Sequence, residues 1–216
     1  MIDSRGERTL GLRERKKRQT RATLINAAVG LCDSQGFDGT TVDQIAAVAD
    51  VSPRTFSRYF ATKDAVAMAL IDEVLDMAAA ELMHQPLHLG HFEAMRRAWI
   101  EMAQATKLAR PDGLCSERLL QILRIVMTSP TLRLASAEYR TNPIEVALAR
   151  RMGVATADRR VKLVSSVWRA MLMTALEGVI DAAPTARSIT IDDVVEAFEA
   201  TYAEFTNEMA AIGQPV

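Results

Sequence analysis

Residues 41–60 read TVDQIAAVADVSPRTFSRYF and contain two short helical signatures separated by a turn. Thr41 followed by Gln44 is the T-x-x-Q pattern of a capping box, which marks the start of a helix. Ser52 is a favoured N-cap residue, and Pro53 suits the first helical position because its missing N–H needs no partner there. Residues 41–60 therefore predict two helices joined by a three-residue turn, which is a helix-turn-helix.

Further helices are predicted on both sides of this motif. An apolar stripe at helical spacing precedes it, and Gly36 is suited to end that helix. The stripe consists of Leu24, Ala27, Ala28 and Leu31. After the motif, Thr62 caps a longer helix that runs from Lys63 to about Met83.

The rest of the chain also has the apolar spacing of helices and little of the alternation expected of strands. We predict helices over residues 92–107 and 116–127, after Pro130 with a break at Asn142-Pro143, and over residues 159–182 and 190–212. The sequence therefore predicts an all-α protein in which an N-terminal three-helix helix-turn-helix domain is followed by an antiparallel helical domain. We place a basic N-terminal arm at residues 1–20, the helix-turn-helix domain at 21–64 and the second domain at 65–216.

Charge is distributed unevenly along the chain. The formal net charge is −1, yet residues 1–65 hold 11 Lys+Arg against 8 Asp+Glu, and the remaining residues hold 15 against 19. The basic excess is concentrated in the run Arg15, Lys16, Lys17 and Arg18. Such an arm favours approach to phosphates, although a solvated tail explains the charge alone equally well.

Composition and length indicate a soluble globular protein. The chain has 216 residues, of which 49% are hydrophobic and 25% charged. Its longest stretches without a charged residue, 22–32 and 82–92, have 11 residues each, whereas a membrane-spanning helix needs about 20. No apolar segment of a secretory signal follows the N-terminal arginines. We therefore expect a cytoplasmic protein without a membrane span.

The patterns expected of catalytic and metal sites are weak or absent. Cys32 and Cys115 lack metal-ligand or redox spacing, so we expect reduced, buried thiols. All three histidines lie within residues 84–91, where a proline and a glycine interrupt the helix that would bring the rings together. An exposed connection is therefore favoured over a metal site. The chain has no phosphate-binding glycine loop, H-E-x-x-H motif or nucleophile elbow, so we predict no cofactor and no enzymatic activity.

The helix-turn-helix region resembles the N-terminal signature of the tetracycline-repressor (TetR) family. The likeness includes the basic arm, Gln35-Gly36-Phe37, residues 41–60 and Lys63-Asp64, and it covers residues 13 to about 70. The resemblance implies a transcription regulator that binds double-stranded DNA, with a C-terminal half that binds a small-molecule effector and forms a homodimer. By position in the motif, it implies backbone contacts from Thr41, Thr55, Tyr59 and Lys63.

Several positions depart from the usual pattern of the family. Asp50 replaces a glycine of the turn, and Asp is among the few other residues that tolerate a left-handed conformation. Ser57 replaces an aromatic residue, and Arg54 replaces a small one. We therefore predict that Arg54 reads the bases, because a guanidinium can bind guanine O6 and N7 in the major groove. Asp43 stands where some members carry a base-reading arginine, and we interpret it as a carboxylate stabilised at a helix N-terminus. Further DNA contacts are predicted from Pro53, Ser57, Arg58 and the four basic residues of the arm.

The C-terminal half contains an apolar set rich in Met and Trp on several helices. Met side chains adapt their shape, which suits a ligand cavity, although each such residue taken alone is more simply explained as core. The predicted ligand-binding residues are Met95, Trp99, Met102, Leu123, Met127, Trp168 and Met171, with Arg124 or Tyr139 as polar anchors. Because the acidic body offers no basic patch for an anion, we predict a largely apolar effector.

The last predicted helix has an apolar seam with alternating steps of three and four residues. Such a seam suits helix packing at a shallow angle, either within the domain or against a second copy of the chain. The resemblance favours the second copy. The predicted dimer contacts are Val161, Val164, Leu172 and Val179 on the penultimate helix, and Val195, Phe198, Tyr202, Phe205 and Met209 on the last.

We therefore predict a repressor that leaves its palindromic operator when an apolar effector binds, with coupling through the helix that starts at Lys63. A rival is a DNA-binding protein of the same fold that has no effector or acts as an activator. A C-terminal half without a cavity would favour that rival. A helical enzyme is the remote alternative.

Overall fold

The computed structural model of the chain describes residues 11–110, 113–137, 142–182 and 188–211. Within these ranges the chain forms helices and no strand, as the sequence predicts. The helices are α1 Leu12–Gln35, α2 Val42–Val48, α3 Pro53–Tyr59, α4 Lys63–His84, α5 His91–Ala105, α6 Ser116–Thr128, α7 Pro130–Ala137, α8 Pro143–Met152, α9 Arg159–Ala182 and α10 Ile191–Ala211.

The chain divides into two compact units, Met1–Leu70 and Ile71–Val216. The division falls within α4, which contributes residues to both units, and lies somewhat later than the boundary after residue 64 expected from the sequence. The start of α1 differs from expectation, because residues 12–20 were assigned to an arm and are helical. Arg15, Lys16, Lys17 and Arg18 therefore extend from the first two turns of α1.

In the first unit, α1 packs on α2 and α2 on α3. Leu24 and Ile45 are completely buried and Phe56 is 1% exposed, so one large side chain from each helix fills the core. The turn between α2 and α3 contains Asp50 at φ 53°, which confirms the predicted left-handed residue. Gly36 at φ 80° ends α1, also as predicted.

In the second unit, α9 packs against α5, α6, α8 and α10. Aromatic rings join three of these helices: the Phe198 ring of α10 lies 5.0 Å from that of Trp168 on α9 and 6.3 Å from that of Trp99 on α5, measured between centroids. Phe198 is completely buried. These three side chains therefore form the centre of the α5, α9 and α10 packing.

The C-terminal end of α4 is held by a side chain from α8. Arg151 donates hydrogen bonds to the carbonyl oxygens of Gln85 at 2.6 Å, Pro86 at 2.9 Å and Leu82 at 3.4 Å. Carbonyls at a helix end lack intrahelical partners, so a guanidinium placed there satisfies several at once. Just beyond Arg151, α8 ends at Gly153 in the left-handed conformation.

By length and composition alone, α9 is apolar enough to cross a membrane, which the count of uncharged residues did not suggest. One such helix is weak evidence for a membrane span, because a core helix of a soluble protein meets the same criteria. Its buried residues include Val161, Trp168, Met171 and Leu176. We therefore treat α9 as a helix of the second unit.

Candidate nucleic-acid interface and ligand cavity

The helix α3 is fixed at its start by the predicted cap. Ser52 Oγ accepts a hydrogen bond from Thr55 N at 3.1 Å, and Pro53 occupies the first turn. Phe56 points into the core, while Arg54 and Arg58 are exposed. The helix therefore presents two guanidinium groups to solvent from a firmly anchored backbone.

The hydroxyl of Ser57 is already engaged within α3. It donates to the carbonyl oxygen of Pro53 at 3.1 Å, so it can only accept a further hydrogen bond. Thr55 and Tyr59 are half-buried, and Arg58 lies 5.4 Å from the centroid of the Tyr59 ring. Of the predicted contacts on α3, Arg54 and Arg58 thus combine exposure with the largest set of donors suited to base edges.

The helix α2 begins with the complete capping box. Thr41 Oγ1 accepts from Gln44 N at 3.2 Å, and Gln44 Oε1 accepts from Thr41 N at 2.9 Å. Gln35 at the end of α1 reinforces this corner, since its Nε2 donates to Gln44 Oε1 at 3.0 Å. Thr41 is therefore held in place at an exposed helix start, which is the location expected of a phosphate contact.

Lys63 has a structural role that the sequence did not reveal. Its Nζ donates to the carbonyl oxygen of Phe37 at 2.8 Å and lies 4.2 Å from the centroid of the Phe37 ring. An ammonium group has three N–H donors, so two remain for other acceptors. Lys63 consequently secures the loop after α1 whether or not it also touches a phosphate.

A concave surface joins the start of α1 to the end of α3. It is lined by Leu12, Arg13, Glu14, Lys16, Lys17, Thr20, Arg58 and Tyr59. Four of these side chains are basic, and a single carboxylate lies among them. The structure thus brings Lys16 and Lys17 together with Arg58 and Tyr59, and it adds Arg13 and Thr20, which sequence reasoning missed because the arm was not expected to be helical.

The second unit contains an apolar cavity of about 120 Å³. Its lining comes from α4, α5, α6, α9 and the start of α8. The lining residues are Ile71, Val74, Leu75, Ala78, Leu82, Met95, Ala98, Trp99, Ile122, Leu123, Val126, Met127, Asn142, Ile144, Ser165, Trp168, Arg169, Leu172, Met173 and Leu176.

The predicted ligand-binding residues divide between this cavity and other places. Five of them line it: Met95, Trp99, Leu123, Met127 and Trp168. Met102 is completely buried and Met171 is 6% exposed, and neither lines the cavity. Arg124 lines a different, smaller pocket beside α10, and Tyr139 lies outside the described residues. Sequence reasoning missed the contribution of α4 to the lining, because its apolar spacing is explained equally well by a helix that packs in the core.

Trp99 and Ser165 are among the residues that bring polar groups to the border of the cavity. Trp99 is 4% exposed, and its Nε1 finds no hydrogen-bond acceptor among the described residues. Ser165 Oγ donates to Glu145 Oε1 at 3.0 Å, and Lys162 Nζ also binds that carboxylate. Glu145 thus has two hydrogen-bonding partners, whereas the indole N–H of Trp99 has none among the described residues.

The predicted dimer residues also divide. Val161 and Phe198 are completely buried in their own chain and Leu172 lines the cavity, so these three side chains serve the interior of one chain. Val179 is 9% exposed. Val164, Val195, Tyr202 and Phe205 are half-buried, and Met209 is 48% exposed. On α10, the buried residue of the interior face is Val194, whereas the predicted seam contains its neighbour Val195. The seam is therefore shifted by one residue at this point.

An ion-pair network joins α5 to α10. Arg96 donates to Glu93 at 2.8 Å and to Glu199 at 2.5 Å, and Arg97 donates to Glu93 at 2.6 Å. Hydrogen bonds from Arg96, followed by those from Arg97, lower the pKa of Glu93 to about 2. Burial raises the pKa of Tyr202, which lies beneath Arg96. These groups stabilise the second unit near neutral pH.

The histidine segment connects α4 to α5. His84 ends α4, His91 begins α5, and His88 is exposed between them. Burial lowers the pKa of His91, and Arg151 and Arg160 lower it further. In the described part of the chain, no group of three His, Cys, Asp or Glu side chains is arranged to hold a metal ion.

Comparison with known proteins agrees with these features. Residues 24–70 match the family described as bacterial regulatory proteins, tetR family. The chain is 34% identical to the HTH-type transcriptional regulator TcmR of Streptomyces glaucescens over 166 residues, which make up 74% of this chain and 73% of that protein.

Two solved structures share the fold. NalD, the secondary repressor of the MexAB-OprM multidrug efflux pump in Pseudomonas aeruginosa, has a TM-score of 0.55 at 18% identity and covers 88% of this chain and 96% of its own. Thermus thermophilus FadR, solved in complex with lauroyl-CoA, has a TM-score of 0.52 at 20% identity over 91% and 98%. Because the family signature lies on the helix-turn-helix and the similarity to TcmR extends over most of the chain, the protein belongs to the TetR family of DNA-binding transcription regulators and is not an enzyme.

Proposed function

We propose that the protein is a homodimeric, cytoplasmic repressor that leaves a near-palindromic operator when a largely apolar ligand occupies the cavity of its second unit. One observation carries this proposal: the chain that presents Arg54 and Arg58 of α3 to solvent also contains an apolar cavity of about 120 Å³. A helical half that served only dimerisation would have no need of such a space, since protein interiors are normally close-packed.

On DNA, Arg54 reads a base and the surrounding groups hold the backbone. The exposed Arg54 guanidinium can reach guanine O6 and N7 in the major groove. Phosphate contacts are assigned to Thr41, Thr55, Tyr59 and Lys63, and to the concave surface that contains Lys16, Lys17 and Arg58. Ser57, whose hydroxyl can only accept, is assigned to a donor on a base edge, and Pro53, which has no N–H, to van der Waals contact with the DNA. Arg15 and Arg18 add to the positive charge of the first turns of α1 and contribute to DNA affinity without sequence preference.

The second copy is proposed to pack on the outer surface of α9 and α10. Ala170, Thr174 and Gly178 are exposed at intervals of four residues on α9. A glycine inside a helix costs about 0.5–1 kcal/mol relative to alanine, and a Cβ built at Gly178 meets no heavy atom of its own chain within 4 Å. Close approach by a partner helix would explain why a glycine occupies position 178. The half-buried Val164, Val195 and Phe205 and the exposed Met209 are available at the same helices.

Ligand binding is proposed to act through α4. This helix starts at Lys63 and supplies Ile71, Val74 and Leu82 to the cavity lining. A ligand releases DNA only if it binds the non-operator conformation more tightly, and a tenfold loss of operator affinity requires about 1.4 kcal/mol of differential binding. The complex of FadR with lauroyl-CoA supports an effector with an apolar body.

The rival function is DNA binding without a small-molecule effector, or activation in place of repression. The cavity favours the ligand-responsive version. The two are separated by measuring whether occupation of the cavity changes operator affinity and whether the target promoter becomes more or less active when the protein is removed.

The direct test is to recover the genomic fragments that the purified protein retains, and to titrate Arg54→Ala and Arg58→Ala against them. Arg54→Ala should lose about 1–3 kcal/mol of operator binding and its preference at one base of each half-site. Arg58→Ala is the matched control and should weaken operator and scrambled duplex alike. An Arg54 variant with unchanged base preference would contradict the assignment.

The dimer is tested by light scattering at micromolar concentration. The wild type should be dimeric, and Gly178→Leu should weaken the dimer by about tenfold or more, because overpacking a tight contact costs about 1–3 kcal/mol. Gly30→Leu on the exposed surface of α1 is the control, since a Cβ there also meets nothing within 4 Å. A monomeric wild type would overturn this part of the proposal.

A further inference from the structure

One residue that lines the cavity of the second unit carries a hydrogen-bond donor for which the described residues offer no acceptor. Trp99 lines the cavity, is 4% exposed, and has no acceptor for Nε1 among the described residues. A buried N–H without a partner is destabilising, because it has lost its hydrogen bond to water. An acceptor placed in the space beside the ring would remove that cost.

The other polar groups around the cavity also favour acceptors over cations. Asn142 Oδ1 accepts a hydrogen bond from Ile144 N at 2.9 Å, and the Nδ2 of the same side chain is a donor. Among the described residues that line the cavity there is no carboxylate. The nearby carboxylate of Glu145 lies behind Ser165 and is bound by both Ser165 and Lys162.

From these donors we infer that the cavity selects a mainly apolar molecule that carries a carbonyl oxygen, and that this oxygen accepts a hydrogen bond from Trp99 Nε1. The inference rests on the proposed function in that it names the ligand class of the same cavity. Cations are disfavoured because none of the described lining residues is acidic. Pure hydrocarbons fit the apolar walls but leave the indole N–H unpaired.

The volume sets the size of suitable probes. A cavity of about 150 Å³ admits benzene, so about 120 Å³ suits a single substituted ring with slight expansion by the Met side chains. Acetophenone, ethylbenzene and 1-phenylethylamine share one carbon skeleton and present a carbonyl oxygen, no polar group and an ammonium group respectively. The three compounds therefore separate the contribution of the acceptor from that of the apolar body.

The experiment uses the ¹⁵N-labelled full chain and follows the two tryptophan indole N–H resonances, which Trp168→Phe assigns. Acetophenone should move the Trp99 indole proton to lower field, ethylbenzene should bind without that displacement, and the amine should bind at least tenfold more weakly than acetophenone. This measurement needs no substitution at Trp99 itself, so it holds even if such a variant folds poorly.

Calorimetry on Trp99→Phe supplies the second readout. For each compound, binding to the wild type is compared with binding to the variant, so the compound's own transfer from water cancels. Loss of one neutral hydrogen bond should weaken the binding of acetophenone by about 2- to 10-fold. The binding of ethylbenzene should weaken by less than about 2-fold. Trp168→Phe is the control, and it should affect both compounds alike.

The outcomes separate this inference from the function on which it rests. If both compounds bind and Trp99→Phe weakens them equally, or if the Trp99 resonance stays in place as acetophenone binds, the acceptor inference is overturned while ligand binding stands. If neither compound binds at millimolar concentration, the ligand-binding part of the proposed function falls together with the inference.

Discussion

The two units bury their large side chains equally well from solvent but pack them differently. In the helix-turn-helix unit, Ile45 and Phe56 lie within the core formed by α1, α2 and α3. In the second unit, Leu82 is completely buried and Trp99 is 4% exposed, yet both face a cavity of about 120 Å³. The comparison teaches that low exposure does not imply complete packing. A rigid surface suits DNA, and an adaptable interior suits a ligand.

The largest expected effect comes from emptying the core of the first unit. Phe56→Ala removes a ring that is 1% exposed, and such changes cost about 3–5 kcal/mol. The unit should unfold or lose operator binding entirely in a gel-shift titration. Phe92→Ala, which removes a half-buried ring 5.3 Å from that of Phe205, is the control and should be milder. Operator affinity that survived Phe56→Ala would mean that the first unit is not tightly packed.

The same substitution in both units tests the difference directly. Ala46→Val adds two methyl groups to a filled site and should destabilise by about 1–3 kcal/mol. Ala98→Val adds them beside the cavity, where burial of about 0.8 kcal/mol per carbon offsets the weaker helix propensity of valine, so the net change should stay within about 1 kcal/mol. Urea unfolding of both variants provides the measurement. Equal destabilisation would show that the cavity cannot accept side-chain volume.

Acid should affect the second unit through Glu93. Its pKa is lowered from 4.5 to about 2 by Arg96, so its contribution to stability is complete above about pH 4.5 and is lost as the pH falls towards 2. Glu93→Gln should cost about 1–2 kcal/mol at pH 7, a figure reduced for the partial exposure of the pair. The difference from wild type should disappear near pH 2 in urea titrations. Glu208→Gln, at an exposed position of α10, should show no such dependence.

The smallest expected effect concerns the turn between α2 and α3. Asp50 has φ 53°, a conformation that glycine adopts without a steric penalty. Asp50→Gly should therefore raise the stability of the first unit by less than about 1 kcal/mol and leave operator affinity unchanged. Thermal unfolding measures the first quantity and operator titration the second. A loss of stability would indicate that the Asp50 side chain makes contacts that outweigh the backbone strain.

The helices and their caps follow from the sequence because they depend on neighbouring residues. Thr41 with Gln44, and Ser52 with Pro53, form the predicted caps, and each signal lies within one helical turn. The beginning of α1 was harder to predict from the sequence. Residues 12–20 carry charges that suggest a solvated arm, yet the helix of the apolar stripe continues through them.

The positions of side chains between helices could not be read in the same way. Lys63 bonds to Phe37 O across 26 positions of the chain, and no local pattern records such a contact. Leu172 was assigned to a dimer surface and faces the cavity, because helical spacing identifies an apolar face without saying what covers it. For the same reason, Met102 and Met95 look alike in sequence although only Met95 lines the cavity.

The hydrogen bonds from Arg151 to the end of α4 tie together segments that lie 66 positions apart, as between Arg151 and Gln85. Regions linked in this way open together, since neither can fray without breaking the shared contacts. The last turn of α4 and the last turn of α8 should therefore exchange their amide hydrogens with a common opening free energy. The Arg151 guanidinium thus makes the ends of α4 and α8 open cooperatively. The frequency with which its hydrogen bonds break sets how often both helix ends are exposed to solvent.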